Sequence, residues 1–399
     1  LHFPDQSMSV TKLFKEFFDS EKSSGIILIG CTIVSLLLVN VFIGEDYLHF
    51  WHQKTLSMLA DGNLNLSVEH WINDGLMAIF FLMVGLEIER ELYVGELSDF
   101  KKALVPVIAA VGGMLIPALF HFLLNAGTGT QNGFGIPMAT DIAFALGIMA
   151  LVGKKVPFVL KIFLTALAII DDLGAILVIA VFYTKEIQAF YLLVALGIFL
   201  ILIVLNRLKV YRLIFYIIGG IIMWYCFLQS GVHATLAGVL LAFAIPFEDG
   251  GERSLSYKLQ HALHKPVAFF ILPIFALANT GILFEGSLKD ALINNNSLGI
   301  ILGLVIGKPL GIMLLLFIGV KVKVISLPKG IQWKHIAATG FLAGIGFTMS
   351  IFITLLAFGS PGVVVNSKIA VLFSSLTAAL VGFFFLKWAV RKDVVEIET

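Results

Sequence analysis

The chain has 399 residues, of which 59% are hydrophobic and only 13% are charged, and its net charge is +1. Soluble globular domains carry about 25% charged residues, so this composition excludes an ordinary soluble protein. The near-neutral charge gives no electrostatic bias towards nucleic acid, and the two cysteines lie in apolar runs, which argues against a disulfide scaffold or a cysteine-based metal site.

Apolar runs long enough to cross a membrane recur through the chain, which predicts an all-α polytopic membrane protein with twelve transmembrane helices. The predicted spans are 24–44, 72–93, 103–125, 133–152, 157–182, 188–206, 213–228, 231–247, 260–283, 297–319, 334–358 and 366–388. Residues 24–388 thus form a single transmembrane domain between an N-terminal segment, 1–23, and a C-terminal tail, 389–399. The mixture of acidic, basic and aromatic residues at the start is not typical of a cleavable signal peptide.

The lysine and arginine residues orient these spans. An even number of spans puts both termini on one side; with that side inside, 21 of the 27 Lys and Arg residues fall in inside segments. Cytoplasmic loops carry the excess of positive charge, so both termini, and with them the two end segments, are predicted to be cytoplasmic. In the longest outside loop, about 45–70, Asp61 and Gly62 between short apolar runs predict a β-hairpin, with an ordinary polar loop as the alternative.

A charged cluster lies at the inner end of the second span, in the stretch GLEIERELY. It contains Glu87, Arg90 and Glu91. A solvated helix end whose charges pair with one another would explain this cluster as well as a functional role would, and the residues alone leave both interpretations open.

Four charged residues lie well inside predicted spans: Asp141 in the fourth, Asp171 and Asp172 in the fifth, and Lys308 in the tenth. Each such charge costs about 2.5–3.5 kcal/mol on insertion scales. A buried ion pair that only holds two helices together would explain Lys308 and one of the three aspartates. The other two aspartates would remain unexplained. Adjacent residues of a helix point about 100° apart. If one aspartate of the doublet faces Lys308, the other therefore faces elsewhere, and we expect a wet cavity shared with Asp141.

Glycine and proline interrupt the fourth and eleventh spans. The stretches GFGIPMATDI, with Gly133, Gly135 and Pro137, and GIGFTMSIFI, with Gly344 and Gly346, share G-x-G and a methionine at the same offset. Backbone groups freed by these residues are tolerated at membrane depth only beside protein or a watery cavity. The two spans run in opposite directions, and each is the second of a triplet. Paired interrupted helices in two inverted halves indicate the central site of a transporter.

The motifs ATDIAFALG, DDLGAI, SGVHATLAG, IGKPLGI and GIGFTMSIFI, in this order, closely resemble the NhaA family of bacterial sodium/proton antiporters. The resemblance covers about residues 24–388. Members of this family are themselves known examples of inverted-repeat transporters. The resemblance implies a multi-pass transporter of the bacterial inner membrane that serves pH homeostasis. It implies neither an enzyme nor a cofactor.

For the site, the resemblance implies that Asp171 and Asp172 bind the cation and the protons. Asp172 would be the principal ligand, and Asp171 would pair with Lys308. Thr140 and Asp141 would lie where the fourth and eleventh helices are unwound and cross near the bilayer midplane. The opposed helix-end dipoles at this crossing would be offset by Asp141 and Lys308.

The resemblance also implies a pH-response region in a cytoplasmic funnel and a homodimer contact through the outside hairpin, within a lipid bilayer and without nucleic acid. The residues that match the pH-response region are Glu87, Arg90, Glu91, His261 and His264. The family often has a glutamate where this chain has Gln260. Because glutamine does not titrate, we expect the pH threshold to be shifted or differently built.

The implied mechanism is an electrogenic exchange of cytoplasmic sodium or lithium for external protons by alternating access. Sodium is a hard cation that prefers oxygen ligands, so protons and sodium would compete for the carboxylates of Asp171 and Asp172. A passive cation channel is one alternative. An intramembrane aspartyl protease is another, since Pro117, Ala118 and Leu119 form its PAL tripeptide, but the chain lacks G-x-G-D and its two strongest aspartates share one helix.

Overall fold

The structure, a computed structural model, describes residues 23–54, 65–153, 155–184, 186–284, 286–328 and 330–397. The helices are α1 (Ser23–Phe42), α2 (Glu45–His52), α3 (Val68–Tyr93), α4 (Phe100–Leu124), α5 (Ile142–Val152), α6 (Phe158–Phe182), α7 (Ala189–Arg207), α8 (Leu213–Ser230), α9 (Leu236–Ala244), α10 (Leu255–Asn279), α11 (Leu288–Leu292), α12 (Asn295–Lys321), α13 (Trp333–Ala343), α14 (Phe347–Ala357) and α15 (Pro361–Ile397). Short 3₁₀ helices cover Glu96–Ser98 and Gln131–Met138. Within the described ranges no strand is formed, which confirms the prediction of an all-helical fold.

Ten helical stretches of the described chain are long and apolar enough to cross a membrane, and there are eleven if α13 and α14, bent by 48° at their junction, count as one span. The predicted span 231–247 differs, because α9 has only 9 residues. Such a helix is about 14 Å long, against a hydrocarbon core of about 30 Å. Gly231, at φ 80°, ends α8, and turns delay the next helix. The chain is therefore a multi-pass membrane protein, and the count of twelve stays a prediction.

The predicted outside loop, 45–70, begins with helix α2 instead of an irregular chain. Glu45 and Asp46 in its first turn complement the positive end of the helix dipole, which favours a helix here. Lys54 and Ser67 form one antiparallel bridge. Asp61 and Gly62 lie outside the described residues, so the hairpin stays a prediction.

Close packing of α4 against α12 positions Lys308. Gly112 and Gly311 face each other so closely that a Cβ on either would collide with the carbonyl oxygen of the other. A π-helical turn, Gly303–Gly307, immediately precedes Lys308, and such turns are frequent at functional sites. The result is a lysine side chain that is fully buried between packed helices.

The helical path is interrupted at residues 139–141 and again at 344–346. Before the first break the chain forms the 3₁₀ helix Gln131–Met138, which contains Pro137 and two glycines that disfavour a regular α-helix. Residues 131–141 are called the unwound segment below. It packs against α4 and α14 and reaches the middle of α6.

Candidate functional site

Asp171 is held by two donors. Its Oδ2 atom lies 2.7 Å from the Lys308 ammonium, and both side chains are fully buried. The Thr140 hydroxyl donates to the same oxygen at 2.7 Å. The Lys308 ammonium also donates to the carbonyl oxygen of Met138. One acid of the doublet is therefore neutralised by an ion pair that links α6, α12 and the unwound segment.

Asp172 differs from its neighbour. Its side chain is 2% exposed, and within the described chain its carboxylate accepts no hydrogen bond, with Oδ1 fully enclosed. Asp171, Asp141 and Glu87 all lie close enough to act on it electrostatically. A buried carboxylate without a partner is strongly unfavourable. A bound proton or a bound cation would remove this cost.

Asp141 caps two helices at once. Its Oδ1 accepts the Phe144 backbone N–H at 2.9 Å, at the start of α5. Its Oδ2 accepts both the backbone N–H of Thr348, at 3.1 Å, and the Thr348 hydroxyl, at the start of α14. Helix N-termini carry partial positive charge, so one carboxylate offsets two helix ends.

The two chain breaks contact each other directly. The backbone N–H of Asp141 donates to the carbonyl oxygen of Ile345 at 2.7 Å, and the Thr140 hydroxyl lies 2.8 Å from the carbonyl oxygen of Ala343. Because Thr140 has one hydroxyl proton, it is shared between this carbonyl and the Asp171 carboxylate. Lys308 places its charge at the carbonyl end of the 3₁₀ helix, where the helix dipole is negative.

Two of the five residues matched to a pH-response region line one small cavity. Glu87 of α3 and His264 of α10 border it, together with Ile142 and Ala143 at the start of α5. Ile142 directly follows Asp141, so the cavity lies next to the broken helix. Glu87 also lies close enough to Asp172 to act on it electrostatically.

The other three lie further along α3 and α10. The Arg90 guanidinium lies over the Tyr257 ring, 5.4 Å from its centroid, and this ring stacks on His261 at 6.2 Å. Glu91 accepts the backbone N–H of Glu96 at 3.0 Å. The five residues therefore lie near the C-terminal end of α3 and in the N-terminal half of α10, and they do not form a single cluster.

Thr348 and the carbonyl of Met138 also belong to the site, and neither was predicted from the sequence. Thr348 lies in the first turn of α14, two residues after the N-cap Gly346, where backbone N–H groups lack partners within the helix. The Met138 carbonyl carries no side-chain signal, because every residue has one. In the part of the chain that the structure describes, no three Asp, Glu, His or Cys side chains converge to hold a metal ion.

Comparison with known proteins identifies the family. The sequence profile described as Na+/H+ antiporter 1 matches residues 15–386. A relative from Flavobacterium psychrophilum is 59% identical over 98% of this chain and 99% of its own. One from Dechloromonas aromatica is 56% identical over 98% and 99%, and one from Helicobacter pylori is 45% identical over 96% of each. All three are named Na(+)/H(+) antiporter NhaA, a transporter and not an enzyme. The chain therefore belongs to the Na+/H+ antiporter 1 family, which confirms the resemblance drawn from its motifs.

Proposed function

We propose that the chain is a secondary active transporter of the bacterial inner membrane that exchanges cytoplasmic sodium or lithium for external protons. The observation that carries this proposal is the asymmetry of the aspartate doublet. Asp171 is neutralised by Lys308, whereas the buried carboxylate of Asp172 accepts no hydrogen bond from the described residues. The names of the relatives specify sodium ions and protons as the exchanged ions.

Asp172 acts as the principal ligand, for which protons and the cation compete. A hard cation takes oxygen ligands, and the nearby oxygens of Asp171 and Thr140 belong to the same buried group. A bound proton or a bound cation neutralises the buried carboxylate of Asp172. Because one positive charge is enough, the proton and the cation exclude each other. Competition of this kind couples opposite fluxes without covalent chemistry.

The two broken helices cross near the bilayer midplane within inverted repeats of a twelve-helix domain. The contacts between residues 139–141 and 344–346 support this arrangement. Asp141 and Lys308 compensate the helix ends that meet there. In inverted-repeat transporters, of which NhaA transporters are examples, short broken helices around a fixed site give alternating access when the surrounding helices move against them.

Exchange of more than one proton per sodium makes the cycle electrogenic. A net charge that crosses 100 mV contributes about 2.3 kcal/mol, which helps to expel sodium. Both termini lie in the cytoplasm, and two chains form a dimer through the loop at 45–70. Glu87, Arg90, Glu91, His261 and His264 form the pH-response region.

The test is ion flux in proteoliposomes that contain the purified protein. With a sodium or lithium gradient we expect counterflow of protons, measured with a pH-sensitive dye. Current without proton coupling would identify a passive cation channel, and absence of any sodium-dependent flux would contradict the proposal.

Thr140→Val is expected to raise the sodium KM about five- to thirtyfold, since loss of one hydrogen bond to a charged group costs about 1–2 kcal/mol. The valine keeps the shape of the side chain and removes the hydroxyl that contacts Asp171 at 2.7 Å. Initial rates of sodium-driven proton flux against sodium concentration measure the change. Thr140→Ser keeps the hydroxyl and serves as the control. A valine variant with the wild-type KM would exclude Thr140 from the site.

A further inference from the structure

The unwound segment is attached to α6 at both of its ends. At one end, Thr140 donates to Asp171 in the middle of α6, and the carbonyl of Met138 accepts from Lys308, the partner of that acid. At the other end, the segment meets Tyr183, the residue that directly follows α6. The segment therefore runs alongside the C-terminal half of α6.

Tyr183 makes the second attachment through its hydroxyl. The hydroxyl donates to the carbonyl oxygen of Asn132 at 2.7 Å and accepts the backbone N–H of Gly135 at 3.2 Å. A Cβ on Gly135 would collide with this hydroxyl, so the glycine leaves the space that the tyrosine fills. The Tyr183 ring also stacks on Phe134, with 6.3 Å between centroids.

The two attachments lie far apart along α6. Asp171 lies in α6 and Tyr183 directly follows its last residue, twelve positions further on, which corresponds to about 18 Å along a helix. Between these points the segment is a 3₁₀ helix, whose hydrogen bonds are weaker than those of an α-helix. Two fixed ends thus determine how far Met138 and Thr140 project towards the buried acids.

We propose that Tyr183 is a positioning residue for cation binding. By anchoring Asn132 and Gly135, it sets the register of the unwound segment on α6 and so holds the Thr140 hydroxyl in place beside Asp171. This inference rests on the proposed function, since it assigns Tyr183 to the same site. Loosening the anchor lowers the fraction of molecules with a binding-competent segment, and apparent affinity falls by that fraction.

Tyr183→Phe tests the proposal, because it keeps the ring and removes both hydrogen bonds. In proteoliposomes we expect the sodium KM to rise about tenfold, whereas the rate at saturating sodium stays within about twofold of wild type. Hydrogen–deuterium exchange should become faster in peptides that cover residues 131–140, since the Gly135 N–H loses its acceptor.

Tyr216→Phe is the matched control. It makes the same chemical change and removes a hydroxyl bond of 3.0 Å to the Val210 carbonyl, but it lies in the smaller hydrophobic cluster of α7, α8 and α9. We expect the wild-type KM and wild-type exchange in residues 131–140. Gly135→Ala gives a second test: it should raise the KM more in the wild-type background than in the Tyr183→Phe background, where the collision is relieved.

A Tyr183→Phe variant that loses folded protein or maximal rate, but keeps the wild-type KM and exchange, would show that Tyr183 only stabilises the fold and would overturn the inference. Failure of the wild-type protein to couple sodium and proton flux would contradict the proposed function instead. In that case unchanged exchange in residues 131–140 would still reject the anchoring role, and faster exchange would support it.

Discussion

Asp172→Asn is expected to abolish sodium-dependent proton transport, with a loss in kcat/KM of more than about 100-fold at alkaline pH. Removal of one partner from a buried charge interaction costs about 2–5 kcal/mol, and about 3 kcal/mol already corresponds to this loss. The amide cannot exchange a proton for a cation, so coupling disappears together with affinity. Sodium-driven proton flux in proteoliposomes measures the effect.

The same variant should not be destabilised. Asp172 accepts no hydrogen bond from the described residues and is only 2% exposed, so a neutral isostere relieves a buried charge. We expect a melting temperature in detergent equal to or above that of wild type. Asp249→Asn, in an exposed loop, is the control and should transport normally. Transport by Asp172→Asn at the wild-type rate would remove Asp172 from the site.

Lys308→Met is expected to destabilise the protein by about 3–5 kcal/mol, because it leaves the Asp171 carboxylate buried without its counter-ion. The Asp171→Asn change should also destabilise, since it leaves the ammonium with the Met138 carbonyl and no opposite charge at 2.7 Å. The double variant removes both charges and should recover most of the lost stability. Thermal unfolding of the four proteins in detergent gives the coupling.

Lys258→Met, on an exposed side chain of α10, provides the control for loss of a lysine and should change stability by less than about 0.5 kcal/mol. Additive effects of the two single changes would show that Lys308 and Asp171 do not depend on each other, against the ion pair described here.

The sequence predicted the charged residues of the site because a charged residue within an apolar run can be recognised without knowledge of the fold. Asp171, Asp172, Asp141 and Lys308 each carry a large insertion cost. The angle between neighbouring helical residues predicted that the two members of the doublet face different surroundings, and Asp171 contacts Lys308 while Asp172 does not share that contact.

Contacts between distant parts of the chain could not be predicted in this way. Asp141 accepts from Thr348, which is 207 residues away. The sequence predicted a cavity shared with Asp141, and it did not predict that the two oxygens of Asp141 bind the starts of two helices. The anchor at Tyr183 depends on a backbone N–H and a carbonyl, which every residue has.

Hydropathy alone did not predict the length of the helix within residues 231–247. The run is apolar throughout, but Gly231 ends one helix and the next begins only at Leu236. Apolar composition measures the preference for a membrane-like environment, not the length of the helix that occupies it. The short α2 was missed for the converse reason, because its polar residues are typical of a loop.

Proton release on sodium binding tests the central claim, competition between proton and cation at Asp172, most directly. Sodium is added to the purified protein in weakly buffered detergent solution, and a pH-sensitive dye reports protons while calorimetry reports binding. We expect sodium to release protons from the wild-type protein and not from Asp172→Asn, with apparent sodium affinity falling as the pH is lowered. If sodium bound to the wild-type protein and released no protons at any point of the whole pH range, this result would contradict the account.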